Sequence, residues 1–165
     1  MIKIKEKILK MIVLLIMSLM LILSFKINSF FQLCTVDGES MKPYFENGDH
    51  FTIKKFFINP HRYDIISFKD KNDVHVVKRI YGLPGEKLQI KVFKDESKIF
   101  INGVAIEDKY SSTQLYAPYI ASSEIQIGED EYFVLGDNRL NSLDSRRDSL
   151  GLIKYDDILG IIILK

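Results

Sequence analysis

The sequence is poor in the residues that hold metals and disulfides. It has a single cysteine, Cys34, so no disulfide can form within the chain, and its three histidines are widely scattered. This spacing matches no zinc site, and no Gly-x-Gly-x-x-Gly fingerprint is present, so we predict neither a metal nor another cofactor. The 23 basic and 22 acidic residues leave a formal net charge of +1. With no basic stripe beyond the N-terminus, the sequence predicts no nucleic-acid partner.

The remaining composition is ordinary for a globular protein. The 165 residues suit one folded domain with a short appendage, and hydrophobic residues make up 47% of the chain. No internal repeat and no low-complexity tract is present. A specialised function must therefore come from particular residues.

An apolar segment near the N-terminus predicts a membrane anchor. The lysines before it are Lys3, Lys5, Lys7 and Lys10. Residues 11–25 carry no charge, and with the flanking apolar residues they make ~27 Å of helix, near the thickness of a bilayer core. Because positive charge favours the cytoplasmic side, we predict a cytoplasmic basic tail over 1–10, a transmembrane anchor over 11–27 and an extracytoplasmic domain over 28–165.

A cleaved signal peptide is the main alternative to an anchor. An uncharged stretch of 15 residues is also within the length of a signal-peptide core. The residues that follow offer no small-residue cleavage site better than Ile27 and Ser29, and the bulky Leu33 disfavours lipid attachment at Cys34. The uncleaved anchor is the preferred interpretation.

Beyond the anchor, short β-like runs alternate with turn signals. The runs are 51–54, 64–68, 74–81, 87–93, 98–101, 104–106, 131–135 and 158–164. Asn102 and Gly103 predict a tight hairpin between two of them. Residues 108–123 have no clear period and predict a long loop. The pattern predicts a mostly β, antiparallel domain folded as one unit.

The first candidate site is a serine in a turn. Ser40 stands between Gly38, which allows positive φ, and Pro43, which fixes its own φ and disfavours helix before it. Such a turn can present a hydroxyl at the mouth of a cleft. A serine in a Gly-x-Ser loop is nevertheless usually structural, so Ser40 alone is a weak catalytic candidate.

The second candidate is Lys78, within the predicted strand 74–81. It shares a strand face with Val74 and Val76, while His75 lies on the other face. An exposed lysine of an edge strand would only discourage aggregation. A buried lysine would have a lowered pKa, and its neutral amine could take the proton of a serine hydroxyl. Periodicity alone favours the edge-strand interpretation.

The third candidate is the loop that follows the strand 131–135. It begins with Gly136-Asp-Asn, a turn sequence, and then brings Ser142, Asp144 and Arg146 within five residues. One interpretation is a solvated loop with internal hydrogen bonds. The other is a support for a catalytic site, in which the hydroxyl orients an amine and the ion pair holds the loop.

Together and in this order, these stretches resemble type I signal peptidase, a Ser/Lys membrane protease. Four blocks carry the resemblance: Ser-Met-Lys-Pro at 40–43, Arg-Tyr-Asp-Ile-Ile-Ser-Phe at 62–68, Val-Val-Lys-Arg-Ile-Tyr-Gly-Leu-Pro-Gly at 76–85, and Gly-Asp-Asn-Arg-Leu-Asn-Ser-Leu-Asp-Ser-Arg at 136–146. The lysine block resembles the bacterial branch of the family. The short length resembles its single-anchor, Gram-positive form.

The resemblance implies a membrane-bound serine endopeptidase that removes N-terminal signal peptides from exported preproteins. Ser40 would be the nucleophile and Lys78 the general base. Ser142 would orient the lysine amine, and Asp144 and Arg146 would form a supporting ion pair. The implied partners are preproteins and the lipid bilayer of the cell membrane. The substrate would bind extended beside the sheet, with small residues first and third before the cut.

The chain departs from the family pattern at Tyr44, Tyr63, Glu86 and Gly38. Gly38 stands where some members supply a hydroxyl to the oxyanion hole. Backbone N–H groups, most simply that of Ser40, would have to take that role here. Since no departure touches the proposed serine or lysine, we expect an active enzyme with a shifted substrate preference.

Other schemes remain open. A Ser–His–Asp hydrolase would pair Ser40 with a histidine, namely His50, His61 or His75. Lys42 is a second lysine close to Ser40, but in an exposed turn we expect it to stay protonated. From a different class, the chain could be a tethered β-domain that binds partners without cleaving them. Such a module has no need of a paired serine and lysine.

A group of phenylalanines near Ser40 in sequence also has two interpretations. They are Phe30, Phe31, Phe45, Phe51, Phe56 and Phe57. Either they belong to the core, or some form an apolar face at the membrane surface.

Overall fold

The chain forms one long helix followed by two antiparallel sheets in a computed structural model, which describes residues 2–94, 96–111 and 117–164. The elements are α1 Ile2–Phe30, β1 Phe31–Thr35, β2 His50–Lys54, β3 Ile65–Lys69, β4 His75–Gly82, β5 Lys87–Val92, β6 Ser97–Ile101, β7 Val104–Ile106, β8 Ile125–Gln126, β9 Glu131–Leu135, β10 Ile153–Lys154 and β11 Ile158–Leu164. Two short 3-10 helices span Tyr119–Ser122 and Tyr155–Asp157. The predicted fold class, mostly antiparallel β behind one apolar helix, is confirmed.

Helix α1 begins with several lysines, is apolar on all sides over residues 11–24 and stands clear of the sheets there. Its 21 residues Ile4–Ser24 have a mean hydropathy of 2.3, so the helix is long and apolar enough to cross a membrane. The helix extends beyond both ends of the predicted anchor 11–27 and leads directly into β1. The N–H of Lys55 donates to the carbonyl of Phe30 at 2.8 Å, which ties the end of the helix to the end of β2.

The larger sheet places β4 in its interior. Its seven strands have the order β1-β2-β11-β3-β4-β9-β10. The C-terminal strand β11 lies between β2 and β3, and β4 pairs with β3 on one side and β9 on the other. Apart from β3 with β4, these pairings join segments far apart in sequence, so a strand-by-strand pattern does not reveal which strand is central.

The smaller sheet has four strands in the order β7-β6-β5-β8. The predicted hairpin is confirmed, because Asn102 (φ 49°) and Gly103 (φ 80°) connect Ile101 to its cross-strand partner Val104. Of the predicted loop 108–123, residues 112–116 lie outside the described residues, and the 3-10 turn near its end was not predicted.

The eight predicted runs all form strands, within one residue at each end. The prediction missed β1, β8 and β10. Two of these have only two residues, which is too short to show an alternating pattern, and β1 continues directly from the apolar helix.

Candidate active site

The serine and lysine candidates meet at the centre of the larger sheet. Lys78 Nζ lies 2.8 Å from Ser40 Oγ and also donates to the carbonyl of Val77 at 2.8 Å. The lysine comes from β4, whereas the serine comes from the turn between β1 and β2. A side-chain amine in hydrogen-bond contact with a hydroxyl has the geometry required of a general base and its nucleophile.

Burial gives Lys78 an unusual protonation equilibrium. The residue is only 4% exposed, and burial lowers its pKa from the ordinary 10.5 to about 8, against the opposing attraction of Asp144 and Asp137. At pH 7 roughly one amine in ten is then neutral, compared with roughly one in three thousand for an ordinary lysine. The neutral amine is the form that accepts a proton from a serine hydroxyl.

The burial of Lys78 follows from its place in the sheet. It faces Ile66 of β3 across the strand pair, and the next residue, Arg79, faces Leu135 of β9. Because β4 has neighbours on both sides, the edge-strand interpretation of this lysine is wrong.

The turn that carries Ser40 is fastened to the core by apolar side chains. Met41 and Phe45 are buried, and they pack with Phe51, Ile53 and Ile65 in one cluster. The N–H of Phe45 donates to the carbonyl of Met41 at 3.0 Å, so the turn closes on itself. Fixing the adjacent Met41 and the end of the turn at Phe45 in this way restricts where Ser40 Oγ can point.

Gly38 contributes backbone conformation to the turn. Its φ is +105°, and a Cβ added there would meet no atom within 4 Å, so conformation and not space favours glycine. Its N–H donates to Asn47 Oδ1 at 2.8 Å and is therefore engaged within the turn. The N–H of Ser40 donates to no acceptor in the described part of the chain, which leaves it available to a ligand.

The loop after β9 holds the serine turn from the other side. Asn138 donates its backbone N–H to the carbonyl of Ser40 at 3.0 Å and its side-chain amide to the carbonyl of Glu39 at 3.1 Å. A Cβ at Gly136 would lie 2.5 Å from the Ser40 carbonyl oxygen and 2.2 Å from Ser142 Oγ, so only glycine fits. Sequence reasoning took Gly136 and Asn138 as turn residues and missed these contacts.

The three supporting residues predicted in this loop differ in what they contact. Arg146 binds the Asp144 carboxylate through Nε (2.7 Å) and Nη2 (3.0 Å), and Asp144 also accepts the N–H of Gly136 at 3.1 Å. Ser142 Oγ is buried and has no hydrogen-bond partner among the described residues, so the amine of Lys78 is not bound to it in this state. The role of Ser142 stays a prediction.

Comparisons with known proteins identify the family of the whole chain. The family model described as signal peptidase, peptidase S26, matches residues 7–165. The chain belongs to this family. It is 35% identical to signal peptidase I P of Bacillus subtilis subsp. natto, over 86% of this chain and 80% of that protein. It is 33% identical to signal peptidase I U of Bacillus subtilis (strain 168), over 94% and 87%. A crystal structure of a signal peptidase I from Enterococcus faecalis V583 is 33% identical, with a TM-score of 0.49, over 64% of this chain and 98% of that one.

The rival bases of this S26 peptidase occupy different environments. Lys42 Nζ lies 2.9 Å from Glu39 and 3.1 Å from Glu46, and hydrogen bonds to these carboxylates raise its pKa. A lysine held in this way stays protonated at neutral pH and cannot act as a base.

The histidines are likewise engaged elsewhere or exposed. His50 Nδ1 lies 3.0 Å from Thr35 Oγ1, and His61 Nδ1 lies 3.6 Å from Asp64 Oδ2. His75 is exposed at the rim of the cleft that contains Ser40. Within the described residues, the one side-chain partner of Ser40 Oγ is the amine of Lys78.

A cleft of about 670 Å³ opens beside the Ser40–Lys78 pair of the S26 peptidase. Residues 34–41 and residues 74–78 both line it, so two segments of the chain border the cleft. Its apolar lining includes Val36, Val76 and Leu143. An extended peptide can lie in such a cleft and hydrogen-bond to its strands.

Sequence reasoning also missed the buried ion pair beside the lysine. Arg79 donates to both carboxylate oxygens of Asp137, at 2.9 and 2.6 Å, and both side chains are almost fully buried. No local pattern pairs two residues 58 positions apart. Among the described residues, no group of three or more histidine, cysteine or acidic side chains is placed to hold a metal ion.

Proposed function

We propose that this protein is a membrane-bound serine endopeptidase that removes N-terminal signal peptides from exported preproteins, with Ser40 as nucleophile and Lys78 as general base. The observation that carries the proposal is the 2.8 Å contact between a serine hydroxyl and a buried lysine amine whose pKa is lowered to about 8. The family's Ser/Lys chemistry requires this arrangement.

The reaction follows from the protonation state of the amine. Neutral Lys78 takes the proton of Ser40 as Oγ attacks the carbonyl carbon of the scissile bond. The N–H of Ser40 stabilises the oxyanion that forms. The lysine ammonium then gives its proton to the departing amine of the mature protein, which leaves the signal peptide esterified to Ser40. Water activated by the neutral lysine hydrolyses this ester and releases the free signal peptide.

The membrane helix supports a matching arrangement of enzyme and substrate. The lysines in the first turns of α1 favour a cytoplasmic N-terminus and a β-domain outside, by the preference of positive charge for the cytoplasmic side. A preprotein anchored in the same bilayer then presents its cleavage site just outside the hydrocarbon core. Protease added to protoplasts should digest the β-domain and spare an N-terminal tag. Protection of the β-domain would contradict this orientation.

The phenylalanines near the serine divide into two groups. Phe45 and Phe51 are buried in the core, whereas Phe30, Phe31, Phe56 and Phe57 lie where helix and sheet join. The ring of Phe56 lies 4.6 Å from that of Phe30, and Phe57 is 91% exposed. Since Phe30 follows the apolar span by about 9 Å of helix, this junction lies at the depth of the lipid headgroups. We assign it to contact with the bilayer.

A tryptophan reporter tests this bilayer contact, because the chain has no tryptophan of its own. In Phe57→Trp, brominated lipids should quench the fluorescence of protein reconstituted in vesicles. The control is Phe93→Trp, at an exposed site directly after β5 of the smaller sheet, which should be quenched less. Equal quenching at the two sites would contradict the assignment.

The decisive test of function is mass spectrometry of a precursor with an Ala-x-Ala site, incubated with the protein in detergent–lipid micelles. The wild type should produce a single cut after this site, and Ser40→Ala should produce none. If the folded wild type does not cut, the alternative of a tethered binding domain replaces the proposed activity.

A further inference from the structure

Residues 107–110 follow β7 of the smaller sheet and contact two arginines near the Ser40–Lys78 pair, Arg79 and Arg139. We call this segment the strap. The carboxylate of Asp108 accepts hydrogen bonds from both terminal nitrogens of Arg139, with Nη2 2.6 Å from Oδ1. It also accepts the hydroxyl of Tyr81 at 2.7 Å. The side chain of Arg139 is completely buried, so this carboxylate is the counter-charge of a buried cation.

The strap also covers the second arginine. The ring of Tyr110 lies 3.9 Å from Arg79 Cζ, a stacking distance, and the ring of Tyr44 lies 4.9 Å from the same guanidinium. Tyr44 belongs to the turn that carries Ser40. The main-chain carbonyl of Glu107 accepts the hydroxyl of Tyr63 at 3.0 Å, which holds the start of the strap in place.

Both arginines in turn bind the first residues of the loop that follows β9, residues 136–146, which we call the catalytic loop. Arg139 Nε donates to the carbonyl of Gly136 at 2.9 Å, and Arg79 binds both carboxylate oxygens of Asp137. Gly136 lies directly against the carbonyl of Ser40. A continuous set of contacts therefore runs from the smaller sheet to the nucleophile.

We propose that the strap positions the Ser40–Lys78 pair, with Asp108 acting through Arg139 and Tyr110 acting through Arg79. The smaller sheet thereby takes part in catalysis without touching the substrate. This inference rests on the proposed peptidase activity, and it assigns a role to residues outside the four sequence blocks that resemble the family.

The charges of this region predict how removal of the Asp108 carboxylate would change the pKa of Lys78. Three arginines are matched by three aspartates, in the pairs Arg79–Asp137, Arg139–Asp108 and Arg146–Asp144. Without Asp108, the Arg139 cation either stays unpaired or competes for Asp144, whose charge also favours the protonated form of Lys78. Both outcomes lower the pKa of Lys78. A mere loosening of the fold would admit water and raise that pKa toward 10.5.

Other titratable groups also line the cleft. They are Cys34 on β1, Asp37 and Glu39 in the turn before Ser40, Asp70 between β3 and β4, and His75 on β4. All of these remain unchanged in the variants below, so a shift in the pH profile reports on the arginine–aspartate pairs.

The test is the pH dependence of kcat/KM for precursor cleavage by Asp108→Asn, Asp108→Glu and the matched control Glu107→Gln, each as the full chain in micelles. For Asp108→Asn we expect a kcat at least about tenfold lower, little change in KM and an acid limb shifted down by about 0.5 pH unit. Asp108→Glu should recover part of the kcat. Glu107→Gln keeps the main-chain carbonyl and removes only an exposed charge, so it should match the wild type.

An acid limb that stays in place or moves upward in folded Asp108→Asn would overturn the inference. If that variant fails to fold, Tyr110→Leu serves instead, because it removes the stacked ring without stranding a buried charge; a wild-type kcat in Tyr110→Leu would also overturn it. Absence of cleavage by the wild type would point to failure of the proposed function itself.

Discussion

Lys42 and Lys78 both stand near Ser40, one in an exposed turn and one inside the larger sheet. Two carboxylates bind Lys42 and raise its pKa, whereas burial lowers the pKa of Lys78 to about 8. The nearer lysine in sequence is therefore held charged, and the distant one is partly neutral. Selection of the base depends on environment and not on distance along the chain.

The surroundings of Lys78 also explain why nearby acids do not keep its pKa at the ordinary value of 10.5. Asp137 and Asp144 both favour its charged form, yet each is bound to an arginine, Arg79 or Arg146. Most of their charge is already neutralised. Glu39 and Glu46, in contrast, have Lys42 as their cationic partner.

The largest expected effect separates the two lysines by activity. Lys78→Met keeps an unbranched side chain of similar length but removes the base, so kcat should fall by about 10²–10⁴-fold. Lys42→Met removes a partly exposed charge that pairs with Glu39 and Glu46, away from the lysine amine beside Ser40, and should change kcat by less than about threefold. The measurement is steady-state cleavage of the precursor. Equal losses in both variants would refute the assignment of Lys78 as the base.

A second expected effect concerns stability. Because the pKa of Lys78 is about 8 in the folded state and near 10.5 in the unfolded state, the unfolded state binds more protons between these values. The free energy of unfolding should thus rise with pH from about 8 to 10.5, and below pH 8 the buried ammonium costs up to about 3 kcal/mol.

The Lys78→Met variant makes this cost measurable. It should melt at a higher temperature than the wild type at pH 7, and the difference should narrow as pH increases to 10.5. Thermal unfolding in micelles provides the comparison, with Lys42→Met as the control for loss of an exposed lysine. A difference that is independent of pH would show that Lys78 is not desolvated.

The pH dependence of activity gives a third expected effect. Since the neutral amine is the reactive form, kcat/KM should increase about tenfold per pH unit below 8 and level off above it. His75→Ala should leave this profile unchanged, because the imidazole lies exposed at the rim of the cleft. A midpoint near 6.5 that disappears in His75→Ala would instead identify a histidine base.

The smallest expected effects distinguish two serines of the catalytic loop. Ser142 Oγ has no hydrogen-bond partner among the described residues, so Ser142→Ala should change the free energy of unfolding little. Because the hydroxyl is predicted to orient the Lys78 amine during the reaction, kcat should fall about tenfold. Ser145 Oγ accepts the N–H of Val134 at 3.0 Å, so Ser145→Ala should cost about 1–3 kcal/mol of stability and leave kcat nearly unchanged. A wild-type kcat in Ser142→Ala would remove that residue from the site.

Local features were predictable from the sequence because their causes are local. The apolar run of α1 and the eight β-like runs each follow from hydrophobic pattern, and the hairpin at Asn102 and Gly103 follows from their tolerance of positive φ. Ser40 and Lys78 were weak candidates in their own segments, and the resemblance to a family is what paired them as nucleophile and base.

Contacts between distant segments were not predictable in this way. The pairing of Arg79 with Asp137, the hold of Asn138 on the Ser40 carbonyl and the binding of Arg139 by Asp108 each join residues more than 30 positions apart. A two-residue period reports which strand face a side chain occupies, but it carries no information about which strands are neighbours.

The sequence by itself determined the apolar helix, the strands and the residue types capable of the chemistry. The tertiary structure alone decided that Lys78 is buried and has a lowered pKa, because the insertion of β11 and the pairing of β4 with β3 and β9 put that lysine in the interior of a sheet. An amine loses its charge readily only where water is excluded, and exclusion of water is a property of the packed fold.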